Sequence, residues 1–134
     1  MILTDCVVSV ANVSFIVGDV EKLNCSDILQ RLPRKADVVL SDLSPNVSGN
    51  WELDHAKQIY LAERALKLAA DVLCHGGSFL VKAFHGDYLM EFVDKVKAYF
   101  RGVRIVKPRA SRKESAEVYV VAIEFNGKRL LVCS

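Results

Sequence analysis

Most short signatures that mark out a reaction class are missing from this chain. Its four cysteines, Cys6, Cys25, Cys74 and Cys133, never fall in a CxxC pair. Neither a zinc ribbon nor a disulfide framework is therefore expected, and small buried thiols are the better reading. The three histidines, His55, His75 and His85, have no metal-ligand spacing. They read as surface or helix-end residues, and no metal is expected. There is no GxSxG elbow and no cysteine with an evident histidine partner, so nucleophilic hydrolysis has no support. The absence of GxxxxGKS and GxGxxG removes the support for P-loop and dinucleotide-binding readings, a nucleotide-dependent oxidoreductase among them. No apolar run approaches a membrane span, and MILTDCVV carries neither a basic flank nor a cleavage site. A cytoplasmic protein with no membrane partner is the expectation.

What is present fits one domain, residues 1–134, with a single core. Of the 134 residues, 51% are hydrophobic and 25% charged, which suits a folded globular chain rather than a disordered one. The net charge of +2 says little about partners. Its local distribution says more: Arg101, Arg104, Lys107, Arg109, Arg112 and Lys113 follow one another with no acid among them. Such a run serves equally as a solvated face or as a phosphate-binding rim.

Strand-like and helix-like runs alternate. MILT and NVSFIV are short β-rich stretches, each followed by an aspartate, Asp5 or Asp19. A helix is predicted over Ser26–Leu32, with Ser26 as N-cap and Pro33 as terminator. Asp37–Ser41 is apolar at consecutive positions, as in a strand buried on both faces. Asp54–Leu73 has helical spacing and meets Gly76-Gly77. The pattern continues with a strand (Ser78–Phe84), an amphipathic helix (Tyr88–Phe100), a strand (Val103–Val106), a polar loop (Pro108–Ser115) and a strand (Val118–Phe125). Asn126-Gly127 is a hairpin signal, so Leu130–Cys133 is expected to pair back. This alternation predicts an α/β domain with a mostly parallel sheet. The loop after Val103–Val106 is too short for a helical crossover, which makes the last long strand antiparallel.

Sheets of this kind bind ligands beyond the carboxyl ends of their strands. Asp5, Asp19 and Asp42 each close a strand, Lys82 lies near the end of its own, and Glu117 opens the antiparallel strand on the same edge. Five ionisable groups are thereby predicted to share one rim. A lysine within SFLVKAF is costly unless paired, and Asp42 on the neighbouring strand is a natural partner. The pair serves as a structural ion pair or as a proton-accepting device, the latter worth about 10²–10⁴ in rate. Asp19 reads as a turn residue or as an acceptor for an adenine amino group, and Asp5 as a turn residue or a ribose acceptor. Trp51 reads as a loop anchor, with base stacking as the lesser option. The asparagines and glycine of PNVSGN shape a turn.

DVVLSDLSPNVSG, GGSFLVKAF and KPRASRKESAEVYVVA, in that order, closely resemble the FtsJ/RrmJ (RlmE) family of ribosomal RNA 2′-O-methyltransferases. The resemblance implies a Rossmann-like fold that uses S-adenosyl-L-methionine and acts on a ribose, that of a uridine, in large-subunit ribosomal RNA. It implies that Lys82, Asp42 and Glu117 are three members of a Lys-Asp-Lys-Glu tetrad. It places Asp5, Asp19 and Asp42 at the cofactor, and gives Lys107, Arg109, Arg112 and Lys113 weight as an RNA phosphate clamp. The first tetrad lysine and the family's glycine-rich cofactor loop have no counterpart here, so the expectation is this fold truncated at its N-terminus. The missing strand is central in the family's sheet. Its absence predicts that the first two strands shift inward, or that a partner chain or self-association completes the sheet. The competing expectation is a non-catalytic RNA- or protein-binding remnant of the fold.

Overall fold

In the computed structural model, which describes residues 16–108 and 116–127, the first regular element is a short helix, α1 (Cys25–Leu29). Asn24, not Ser26, is its N-cap, and the Asp27 carboxylate reaches back to the Asn24 N–H at 3.2 Å. The cap moved because an asparagine three residues ahead of an acid closes this reciprocal pair. Past Leu29 the chain tightens into turns before it reaches Pro33. Ile16 and Val17 lie outside any strand. MILT, the rest of NVSFIV and Leu130–Cys133 fall outside the described residues.

β1 (Ala36–Ser41) leads through a loop into α2 (Trp51–Val72), which runs without a break into β2 (Leu73–Phe84). α2 begins three residues earlier than its apolar spacing suggests. Asn50 caps it by accepting the Leu53 N–H, and Gly49 takes a φ of +90° in the turn before it. At the other end, a Cβ on Gly77 would sit 3.0 Å from the Asp37 carbonyl oxygen. α3 (Leu89–Lys97), β3 (Phe100–Val106) and β4 (Glu117–Phe125) complete the described chain.

The sheet order is β1-β2-β4-β3. β1 and β2 are parallel, and β4 runs antiparallel to both of its neighbours, as its short connection requires. Three of the four strands therefore point the same way and end at one rim. The core lies on one face, where Phe79, Val81 and Ala83 of β2 and Val118, Val120 and Ala122 of β4 meet Ile59, Ala62, Leu66 and Phe92. Each large side chain so buried contributes about 1.5–3 kcal/mol relative to exposure. Strand alternation sends Leu40, Lys82 and Tyr119 to the opposite face.

The expected burial of β1 on both faces is corrected here. Val39 packs on the core, but Val38 and Leu40 are exposed. A consecutive apolar run carries no information about whether its second face is covered, and none of α1, α2 and α3 covers this one.

Candidate active site

The register of the strands brings the chemistry together. Ser41 pairs with Val81, so Asp42 follows level with Lys82. Lys82 in turn lies opposite Tyr119, and Phe84 opposite Glu117. Alternation then puts Lys82, Tyr119 and Glu117 on one face of two neighbouring strands.

The Lys82 Nζ lies 3.1 Å from Asp42 Oδ1 and 3.9 Å from Glu117 Oε1, and it donates to the Ser44 hydroxyl. The Tyr119 hydroxyl donates to Asp42 Oδ1 at 3.3 Å. The lysine side chain is only 9% exposed, whereas the carboxylates of Asp42 and Glu117 are 71% and 45% exposed. A covered amine thus faces solvent-reachable acids. Burial, and then the Asp42 and Glu117 carboxylates, push the Tyr119 phenol above its ordinary value, which keeps it a neutral donor.

Of the five groups expected at one rim, the structure joins Asp42, Lys82 and Glu117. Asp19 sits in a turn, where its carboxylate accepts the Glu21 N–H at 2.9 Å. That turn is fastened to the middle of α2 by Arg64, which donates to the carbonyls of Val20, Glu21 and Leu23. Asp5, Arg109, Arg112 and Lys113 lie outside the described residues. Lys107 is exposed just past β3, and because Val106 pairs with Tyr119 it emerges at the same rim as Lys82.

Ser44 and Tyr119 were not singled out from the sequence. Tyr119 was legible, since it stands two residues from Glu117 and so shares its strand face. Ser44 could be found only through its place in the loop after Asp42.

Behind the site, Gln58 of α2 is fully buried. Its Nε2 donates to the Lys82 carbonyl at 2.7 Å and its Oε1 accepts the Phe84 N–H at 2.9 Å. The loop carrying Ser44 is held by Asp54, whose carboxylate accepts from the Ser48 N–H and hydroxyl and from the Gly49 N–H. Those bonds hold the Asp54 carboxyl below its ordinary range.

His55, read from the sequence as a surface or helix-end residue, does lie near the amino end of α2 but is buried there. Its Nε2 accepts the Tyr88 N–H at 3.0 Å, and its ring stacks between Trp51 and Tyr88. Burial holds its pKa below the ordinary 6.5, with His85 adding to the effect and Asp87 opposing it. A depressed histidine pKa means the unfolded chain takes up the proton first. This contribution to stability is complete above pH 6.5 and is lost as the pH falls through the lowered folded value. Urea midpoints measured across pH 7 to 5 are expected to drop, and His55→Phe is expected to remove part of that slope. An unchanged slope in the variant would contradict this.

A shallow hollow lined by Leu23, Arg64, Lys67, Leu68 and Tyr99 lies along the carboxyl half of α2, away from Lys82. Among the described residues, no group of three or more His, Cys, Asp or Glu side chains is placed to hold a metal ion. No described helix is long and apolar enough to cross a membrane.

The family model for FtsJ-like methyltransferases matches residues 4–125. Ribosomal RNA large subunit methyltransferase E of Methanocaldococcus jannaschii is 48% identical over 122 residues, a match covering 88% of this chain and 50% of that protein. The protein of the same name from Nitrosopumilus maritimus is 47% identical over 111 residues, covering 82% of this chain and 56% of its own. The chain thus spans about half the length of the curated relatives it matches. Among solved structures, one described as a ribosomal RNA methyltransferase from Plasmodium falciparum superposes with a TM-score of 0.77 at 26% identity. That match covers 90% of this chain and 68% of the other.

Proposed function

The chain belongs to the FtsJ-like methyltransferase family, and from that premise we propose that it methylates large-subunit ribosomal RNA in the cytoplasm, at the 2′-oxygen of a uridine, with S-adenosylmethionine as donor. The observation that carries this reading is the covered amine of Lys82, held between Asp42, Glu117 and Ser44 at the carboxyl rim of the sheet. The names of the relatives support the ribosomal substrate. The ribose oxygen and the uridine are the finer part of the proposal.

Among the described residues, acceptors of the kind an adenosyl cofactor needs remain available. The exposed Asp42 carboxylate keeps accepting capacity beyond Lys82 and Tyr119, and the Asp19 carboxylate keeps an oxygen beyond its bond to Glu21. These two residues, with Asp5, would hold the cofactor, which when bound supplies a methyl group activated on a sulfonium centre. Lys82 would polarise the 2′-hydroxyl as an ammonium group, or take its proton as the neutral amine. Asp42 orients the amine, and Glu117 completes the polar network on the other side. Fixing the two reacting groups in line is worth several kcal/mol by itself. Lys107, with Arg109, Arg112 and Lys113 beyond it, would clamp RNA phosphates at the same rim. Among the described residues β1 is an edge strand, and a partner chain or a second copy pairing there would complete the sheet.

The test is methyl transfer by the full chain to ribosomal RNA or large subunits, from cofactor carrying a labelled methyl group. Label is expected in alkali-resistant dinucleotides, because a 2′-O-methyl group blocks hydrolysis of the adjoining phosphodiester. Calorimetry is expected to show cofactor binding. RNA binding with neither transfer nor cofactor binding would replace the enzyme by a non-catalytic RNA-binding protein of the same fold.

A further inference from the structure

We propose that the ring cluster of Trp51, His55 and Tyr88 is a platform on which a base of the RNA stacks, within one nucleotide of the ribose facing Lys82. This rests on RNA being the substrate. With Phe84 beside them, four rings lie nearly parallel. Trp51 stacks on Phe84 at 5.9 Å and 17° and on His55 at 5.8 Å and 16°, and His55 stacks on Tyr88 at 5.5 Å and 11°. Phe84 stands two residues beyond Lys82 on β2, roughly 7 Å along the strand. The ring stack therefore begins, at Phe84, about the length of one nucleotide from the reacting amine, and Trp51 is the next ring in it.

The cluster is fixed in place. The Tyr88 N–H is spent on His55 Nε2, and a Cβ at Gly86 would fall 2.6 Å from that same nitrogen, so the chain closes tightly over the imidazole. Yet Trp51 and Tyr88 are each 49% exposed, whereas Phe79, Phe92, Phe100 and Phe125 are at most 2% exposed. Core packing does not require two large rings held rigidly at the surface beside a catalytic rim. Nucleobases do use such rings, because every base has a π-face and an unstacked nucleotide needs somewhere to rest it.

Trp51 is the only tryptophan in the sequence, so emission excited selectively at tryptophan, past the tyrosine absorption, reports on it alone. The full chain is titrated with a short single-stranded oligoribonucleotide and with an abasic ribose-phosphate oligomer of the same length. Fluorescence anisotropy of end-labelled RNA measures binding independently. The oligoribonucleotide is expected to quench Trp51 emission, and the abasic oligomer to bind without quenching. Trp51→Leu is expected to weaken RNA binding by about 5- to 100-fold, while Trp51→Phe keeps most of the affinity. If anisotropy shows binding but emission does not change and Trp51→Leu binds equally well, the platform is excluded and RNA remains the substrate. If anisotropy shows no RNA binding even at low salt, the RNA reading fails and the platform with it. The emission readout uses the unsubstituted chain, so it stands even if a variant folds poorly.

Discussion

Replacing Lys82 by methionine is expected to lower methyl transfer by about 10²–10⁴-fold, the range removed with a positioned acid or base, and to leave cofactor affinity nearly unchanged. The amine is the one group that contacts Asp42, Glu117 and Ser44 together. Losing it removes the only described cation at the centre of the site and leaves both acids without their shared partner. Taking away one member of a buried ion pair normally unfolds a protein by several kcal/mol, because the other charge is stranded. Here the stranded charges are largely in water already, at 71% and 45% exposure. They rehydrate where they stand, and an unbranched methionine takes the covered space of the lysine stem. A large rate loss with a small change in thermal midpoint is therefore the expected signature. Lys82→Arg is expected to fail nearly as badly. A planar fork cannot take the place of a compact ammonium among three oxygens on different elements. An active Lys82→Met variant would end the assignment of this residue to the proton transfer.

The distribution of readable and unreadable features in the sequence follows from which forces are local. The alternation of strands and helices is local, since apolar spacing along a segment decides its type. The parallel pairing of Asp37–Ser41 with Ser78–Phe84 and the reversed last strand follow from connection lengths. Those alone place Asp42, Lys82 and Glu117 on one rim. Helix starts are less readable: Asn24 and Asn50 act through single side-chain oxygens, and a serine or aspartate nearby looks equally able. Burial of a polar residue is less readable still. Nothing in the spacing of His55 shows that Gly86 and Tyr88, some thirty residues later, close over its ring. The open face of β1 is likewise decided by what packs against it, not by the strand's own residues.

Gln58 is the hardest case and carries the second large prediction. The His85 N–H bonds to Ala116 on the β4 side, and backbone groups alternate direction along a strand. The Lys82 carbonyl and the Phe84 N–H therefore point the other way, toward the place β1 has left after Ser41. The side-chain amide of Gln58 takes both, extending the ladder by one peptide-like group where no strand remains. Gln58→Leu keeps the bulk and orphans two backbone groups, each costing about 1–3 kcal/mol, so a loss of about 2–6 kcal/mol is expected in urea unfolding. Because one of the two groups belongs to Lys82, transfer is expected to fall more than cofactor binding does. Gln58→Glu separates this bridging role from simple packing. When protonated, a carboxyl group at this position both donates and accepts; when ionised it can only accept, and it faces the Lys82 carbonyl. Burial raises the folded pKa of such an acid above about 4.3, so the folded variant holds its proton over a range where the unfolded chain has lost it. By linkage the variant's stability relative to the unsubstituted chain is highest in acid and falls as pH rises through the raised value. That sign is opposite to the one set by His55, so the two effects are distinguishable in a single pH series. A Gln58→Glu variant equally stable at pH 5 and pH 8, relative to the parent, would show that the amide fills space there and bridges nothing.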